Sequence, residues 1–450
     1  MRRFPRAIAA FLALAVALAV APSIPASAAP TVRNPGAPHY RTELSTGGQG
    51  HLWLGTHRIA FTNLESVPLA TIYLRLWSNG VLGCPAGSIQ ISNLHGGTIA
   101  ATTQRCTAIE IALGAPLAPG ARTSISMDLR IEIPAENDRF GFHKGLALIG
   151  TALPTLAIHD DAGWHLDPFV DLGESFYSIV GSYRVTLETP QALDTPTTGV
   201  LIDRQAAGPG RESRTYAARD VRDFAWAAAR LTSITGHAGA TRVVVSYQPD
   251  AVSRRRAEAR LRDAVASMDT FSSAFGAYPY REMDVVLAGF ASFGGMEYPT
   301  VIFTNPARFT VAHELAHQWW YGIVGDDEYA EPWLDESFAT WSQYLPFGPW
   351  RGCKKYTFPG AGARITNDMG YWDGHPDEYG TIYGGGGCLL ANLAHRFGLR
   401  RFTAILRSHA RAHWLGVART AGFKARIEAA AAKHLPDLDM ATYWSTWRVD

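Results

Sequence analysis

Residues 310–324 constrain the fold most tightly. They read T-V-A-H-E-L-A-H-Q-W-W-Y-G-I-V, two histidines and a glutamate set into apolar sequence. Burying an ionisable side chain is costly unless it is paired, hydrogen-bonded or bound to a metal. A fold that takes this segment inside must give those three groups a task. On a helix, residues four apart share a face, so His313 and His317 present both imidazoles to one cation. Glu314 projects at an adjacent angle, where it can accept a proton from a water on that cation. Pairs of ordinary surface or core histidines also meet the spacing, so the context has to decide.

The context supplies a third ligand. Glu336 stands nineteen residues after His317, within Trp333-Leu334-Asp335-Glu336-Ser337-Phe338-Ala339, at the start of a second apolar helical run. His313, His317 and Glu336 make a His₂Glu set with a fourth position open for water. Glu331 and Asp335 are the alternative third ligands. Neutral imidazoles with a carboxylate suit zinc, expected at one ion per chain, which lowers the pKa of bound water towards ~7.

The surrounding chain divides by periodicity. Residues 123–133 alternate, with Ile125, Met127, Leu129, Ile131 and Ile133 on one face, the period of a half-buried strand. Residues 182–188 do the same through Tyr183, Val185 and Leu187, and residues 72–77 place Ile72, Leu74 and Leu76 together. From residue 252 to 275 the apolar spacing becomes helical, residues 283–287 read as a strand, and helices follow. The expected fold class is α+β, with a mainly β domain at 30–247 and a mainly helical catalytic domain at 248–450. With 450 residues, 47% hydrophobic and 18% charged, the chain is too apolar for disorder and long enough for two or three cores. Lys and Arg total 41 against 40 Asp and Glu, which gives no basic excess for a nucleic-acid partner.

Residues 1–28 read as an export signal. Arg2, Arg3 and Arg6 precede an apolar run over 7–21, and Pro25-Ala26-Ser27-Ala28 supplies small residues for cleavage after Ala28. The run is short for a membrane span and holds no cysteine for a lipid anchor. The adjacent arginines leave twin-arginine export open. Cleavage removes three arginines and no acid, taking the formal charge from +1 to −2. The expectation is a secreted protein without membrane attachment. Its four cysteines then favour disulfides, and chain proximity favours Cys84–Cys106 and Cys353–Cys388.

The run His313-Glu314-Leu315-Ala316-His317-Gln318-Trp319-Trp320, followed by Trp333-Leu334-Asp335-Glu336, resembles the gluzincin zinc aminopeptidases of the aminopeptidase N and leukotriene hydrolase type. Gly294-Gly295-Met296-Glu297-Tyr298 is similar to that family's G-x-M-E-N loop, and Tyr383, before Gly384 to Gly387, to its catalytic tyrosine. The four elements are in order over residues 294–383, and a weaker resemblance runs from about Thr42 to the C-terminus. It implies a saddle-like β domain followed by a thermolysin-like domain, and peptide substrates with a free N-terminus. It also implies roles: Glu314 as general base, Tyr383 and zinc stabilising the oxyanion, Glu297 pairing with the α-ammonium, and Gly294, Gly295 and Met296 lining the substrate.

Several departures accompany the match. Tyr298 replaces the loop's Asn and is expected to reshape a substrate subsite; Asp335 replaces an Asn and adds charge near the metal. No stretch matches A-R-x-x-F-P-C, and residues 164–168, Trp-His-Leu-Asp-Pro, stand roughly in its place, so a second amine-gripping acid has no assignment. The large C-terminal helical domain of many relatives is absent, implying a more open cleft. A zinc endopeptidase using the same site is therefore the nearest rival, followed by a silent peptide-binding protein, which the retained ligands and base disfavour. His409 and His413 repeat the four-residue spacing without a companion ligand and read as a solvated basic face, as do Arg254, Arg255 and Arg256. The glycines at 384–387 read as a helix-start turn, since no G-K-[ST] follows, and no G-x-S-x-G supports a serine hydrolase.

Overall fold

The computed structural model describes residues 36–84, 87–348, 350, 353 and 355–449. The expected export signal lies outside them. The first half is built on a seven-stranded sheet in which Gly36–Thr46 lies between Gly181–Pro190, parallel to it, and the antiparallel Leu52–Thr62. Arg122–Glu132 pairs on the far side of Leu52–Thr62 and carries the alternation expected of it: Ile125, Met127, Leu129 and Ile131 are all buried. A four-stranded sheet over Leu69–Arg75, Ala108–Leu117, Gly97–Thr103 and Thr155–Leu156 supplies the facing layer, with Ile72, Ile109 and Ile111 in the shared core. Period-two burial on both layers is what lets one apolar core form between them.

The second half packs helices on a five-stranded sheet ordered Thr232–Ala238, Thr241–Tyr247, Glu282–Leu287, Val301–Thr304, Gly295–Met296. Residues 232–247 thus form a hairpin whose inner strand joins the sheet of the second half. Thr241–Tyr247 runs parallel to Glu282–Leu287, and the helix Arg254–Phe275 is the crossover between them. Parallel strands need such a crossover, so the hairpin and the helix form one unit. That helix is capped by Ser253, which accepts from Arg256 N, while Arg254, Arg255 and Arg256 stay exposed.

Cys84–Cys106 and Cys353–Cys388 pair as expected. The reading of His409 does not hold. The helix Leu399–Ala412 buries Phe402, Leu406, His409 and Ala410, and His409 packs against Phe338 and Phe423. Burial lowers its pKa to about 3, with His413 adding to the effect, so it is a neutral core imidazole. No helix among the described residues is long and apolar enough to cross a membrane.

Candidate metal centre

The helix Arg308–Ala316 ends one residue before His317, which keeps right-handed helical angles (φ −60°, ψ −18°) as the C-cap. Both imidazoles therefore still share a face. A helix that begins after Pro332, Trp333–Ser342, brings Glu336 to them in its first turn. The three ligand atoms converge: His313 Nε2 lies 3.1 Å from His317 Nε2 and 3.1 Å from Glu336 Oε2, and His317 Nε2 lies 3.5 Å from the same oxygen. Zinc bonds of about 2.0–2.1 Å in a tetrahedron demand ligand–ligand edges of about 3.3–3.4 Å. The donor set fits that ion in type and in spacing. Glu331, an alternative third ligand, turns instead to Arg419 and Thr420 N.

The other alternative, Asp335, sits behind the ligands. His317 Nδ1 is in close contact with Asp335 and lies 3.2 Å from Trp320 O. Acceptors on Nδ1 hold its proton there and leave Nε2 free for a cation. Burial keeps His313 below the usual imidazole range, in the neutral form a metal needs. Burial pushes Glu336 up, but hydrogen bonds from His313 and His317 outweigh it and hold the carboxylate well below its ordinary range.

Glu314 is buried and points past the ligands towards the strand Gly295–Met296. A Cβ on Gly295 would lie 2.7 Å from the Glu314 carboxyl carbon, and one on Gly294 2.9 Å from Thr310 Cγ2. At Gly295 the missing side chain makes room for Glu314 itself. Burial, followed by the charge of Glu297, raises the Glu314 carboxyl well above its usual range. Tyr383 donates to Glu336 Oε1 at 2.7 Å, and burial with that neighbouring charge keeps its hydroxyl protonated far above pH 10. It stands in an irregular turn, Thr381–Gly385, with i→i+5 bonding, just ahead of the helix Gly386–Phe397. Such widened turns displace one side chain from the regular spiral and recur at functional sites.

The glycines at 384–387 do more than start a helix. A Cβ at Gly384 or Gly385 would press on the Tyr356 ring at 3.2 or 3.0 Å, and one at Gly386 would overlap Ser337 Oγ at 1.8 Å. Gly386, and Gly387 beside Thr340, allow close packing against the helix that carries Glu336.

Met296 and Glu297 are buried beside the centre, and Glu297 Oε1 has no hydrogen-bond partner among the described residues. Burial raises its pKa to about 8, opposed by His317 and reinforced by Glu174 and Glu336. Tyr298 is fully buried: its ring packs on Phe303 and lies under Gly150, where no Cβ blocks it. Two carboxylates escaped the sequence reading. Glu174 is held by Arg139 at 2.5 Å and is electrostatically linked to Glu336, His317 and Glu297. Glu328 accepts from Phe176 N at 2.9 Å, and its oxygens come within 4.8 Å of those of Glu297 and Asp335. The only local signal for Glu174 was an acid between Gly173 and Ser175, three residues after Asp171. Residues 164–168 lie elsewhere, since His165 turns to Asp160 and Asp327.

A two-layer β half, a crossed α/β half and a His₂Glu set on two helices are the features that the resemblance to the gluzincin metallopeptidases implies. Residues 260–368, which carry His313, Glu314, His317 and Glu336, match the family model for the peptidase family M1 domain. Aminopeptidase M1-B of Oryza sativa subsp. japonica is 27% identical over 215 residues, 40% of this chain and 24% of that protein. Aminopeptidase N of Lactococcus lactis subsp. cremoris is 30% identical over 161 residues, 32% of this chain and 18% of that protein. The chain thus aligns with a quarter or less of these two relatives. In fold it is similar to an M1 zinc metallopeptidase from Deinococcus radiodurans, with a TM-score of 0.63 over 93% of this chain and 95% of that one at 16% identity.

Proposed function

We propose that this chain is a zinc-dependent metallopeptidase that releases N-terminal residues from peptides, holding one ion through His313, His317 and Glu336. One observation carries the reading. Beside the donor set the buried carboxyls of Glu297, Glu328 and Asp335 cluster, and the largely buried Glu174, paired with Arg139, is electrostatically linked to Glu336. Burial raises the proton affinity of these carboxyls, so ionising them together calls for cations beside them. A metal ion answers part of that need, and a substrate α-ammonium between Glu297 and Glu174 answers the rest. That grip fixes the cut one residue from the amine.

Zinc bound here supplies Lewis-acid polarisation and acidification of water. Glu314 takes the proton from the attacking water; its raised affinity for that proton lets it hold the proton until the leaving amine accepts it. The Tyr383 hydroxyl turns from Glu336 to the developing oxyanion. Met296 and the backbone of Gly294 and Gly295 form the wall along which the substrate lies. We take the catalytic unit to begin with the hairpin at 232–247 and to follow the β-rich half. Its two disulfides fit an exported protein processed after Ala28.

The test compares digestion of a peptide with a free amine and its acetylated form by mass spectrometry, using zinc-loaded protein. Stepwise shortening of the free peptide alone is expected. Internal cuts in both forms would make the chain an endopeptidase and remove the role given to Glu297.

A further inference from the structure

Phe309 is a bulky aromatic side chain left 44% exposed, one helical turn before His313 and on the same face. Glu297 clusters with His317 at the other end of that pair. A peptide whose amine lies at Glu297 therefore crosses the ligands and leaves the centre over Phe309. From there an aromatic ladder continues. The Phe309 ring lies 5.1 Å from Tyr344 and 5.6 Å from Phe347, and Tyr344 stacks on Trp350 at 5.1 Å. The ladder opens into a cavity of about 670 Å³ lined by Trp341, Leu345, Trp350, Ala391, Ala394 and Leu399. Leu399, on its rim, is 40% exposed. Arg400 follows it, exposed and with no ion pair or side-chain hydrogen bond among the described residues.

We propose that this track binds the leaving segment of a peptide substrate, with apolar side chains on the ladder and in the cavity and the C-terminal carboxylate at Arg400. The inference rests on the peptidase reading of the metal centre. Two features select this occupant. Ring contacts link Phe309, one turn from His313, through Tyr344 to Trp350 on the cavity wall, and Arg400 lines with Leu399 a depression that adjoins the cavity and offers a cation to a terminal carboxylate. Length agrees as well. The helix Gly386–Phe397 leads from the Tyr383 turn to the cavity, and its twelve residues span about 18 Å. An extended peptide covers that in about five or six residues.

The test uses hexapeptides that share an N-terminal alanine, one continuing in leucine and phenylalanine, the other in serine and glycine. Alaninamide, which has no downstream residue, is the short reference. The expected kcat/KM for the apolar hexapeptide exceeds that for the polar one by about tenfold, the worth of one buried apolar side chain. Phe309→Ser and Leu399→Asp, both at exposed positions, should each shrink the ratio of apolar hexapeptide to alaninamide turnover. Arg400→Gln should abolish preference for a free C-terminal carboxylate over its amide. Equal rates for the two hexapeptides, or a ratio that neither substitution moves, would overturn the track while leaving the peptidase reading intact. Binding of the same hexapeptides to the Glu314→Gln protein is measured in parallel by calorimetry. Tight apolar binding lost in Phe309→Ser, with no hydrolysis by the unmodified protein, would keep the track and overturn the peptidase reading.

Discussion

Glu314 and Gly295 show how two residues can depend on each other without bonding. The base has room only because position 295 carries no Cβ, and burial gives the carboxyl its raised proton affinity. Glu314→Gln keeps the shape and removes the proton acceptor. It should lower turnover by 10²–10⁴-fold, the usual worth of a general base, while zinc stays bound. Steady-state kinetics with metal analysis of the same sample checks both halves. Activity within a few-fold of the unmodified protein would sink the assignment of the base. At this scale His313, Glu314, His317 and Glu336 announce themselves by type and spacing, whereas Glu297 and Tyr383 stand out only through the resemblance to the gluzincin aminopeptidases. Glu174 and Glu328 do neither, because an acid in a loop, alone as Glu174 or at the end of the run Asp326-Asp327-Glu328, acquires meaning only from what folds against it.

Among the elements, the strands were easiest to read. The alternation at residues 123–133 and 182–188 is a local property, and period two leaves one buried face. The pairing of the hairpin at 232–247 was not legible because its partner, Glu282–Leu287, lies beyond a 22-residue helix. No local pattern states such a pairing. Packing of the Glu336 helix against the helix after Tyr383 is likewise non-local and turns on glycine. Alanine is intrinsically the better helix residue by about 1 kcal/mol, so Gly386→Ala would stabilise a helix with space beside it. Here the added Cβ falls 1.8 Å from Ser337 Oγ and 2.6 Å from Ser337 Cβ, on another helix. The expected outcome is a net loss of about 1–3 kcal/mol in urea unfolding, as for other overpacked contacts. An unchanged or raised midpoint would show that the two helices part without cost.

For the whole molecule, the question is what fastens the β-rich half to the catalytic half, and a buried ionic hub answers it. His165 lies 2.9 Å from Asp160 within its own half and 3.5 Å from Asp327 of the other. Arg419 reaches Asp327 at 3.2 Å, Glu331 at 3.3 Å and Asp160 at 3.5 Å, and donates to Tyr177 at 3.1 Å. Arg75 closes the far side by donating to the carbonyls of His165 and Asp167. Burial lowers the His165 pKa, but Asp167, Asp160 and Asp327 together outweigh it and raise the value to about 9. Its unfolded value is near 6.5, so the folded state binds the proton more tightly. The resulting stability is fully present below pH 6.5, declines as pH rises and is lost above about 9. With the His165 side chain 17% exposed, the loss between pH 6.5 and 9.5 should be on the order of 2 kcal/mol. His165→Gln should be less stable at pH 6 and should flatten that decline. Urea titrations of both proteins across the range would measure it, and parallel pH profiles would show that the hub holds the halves together without using the His165 charge.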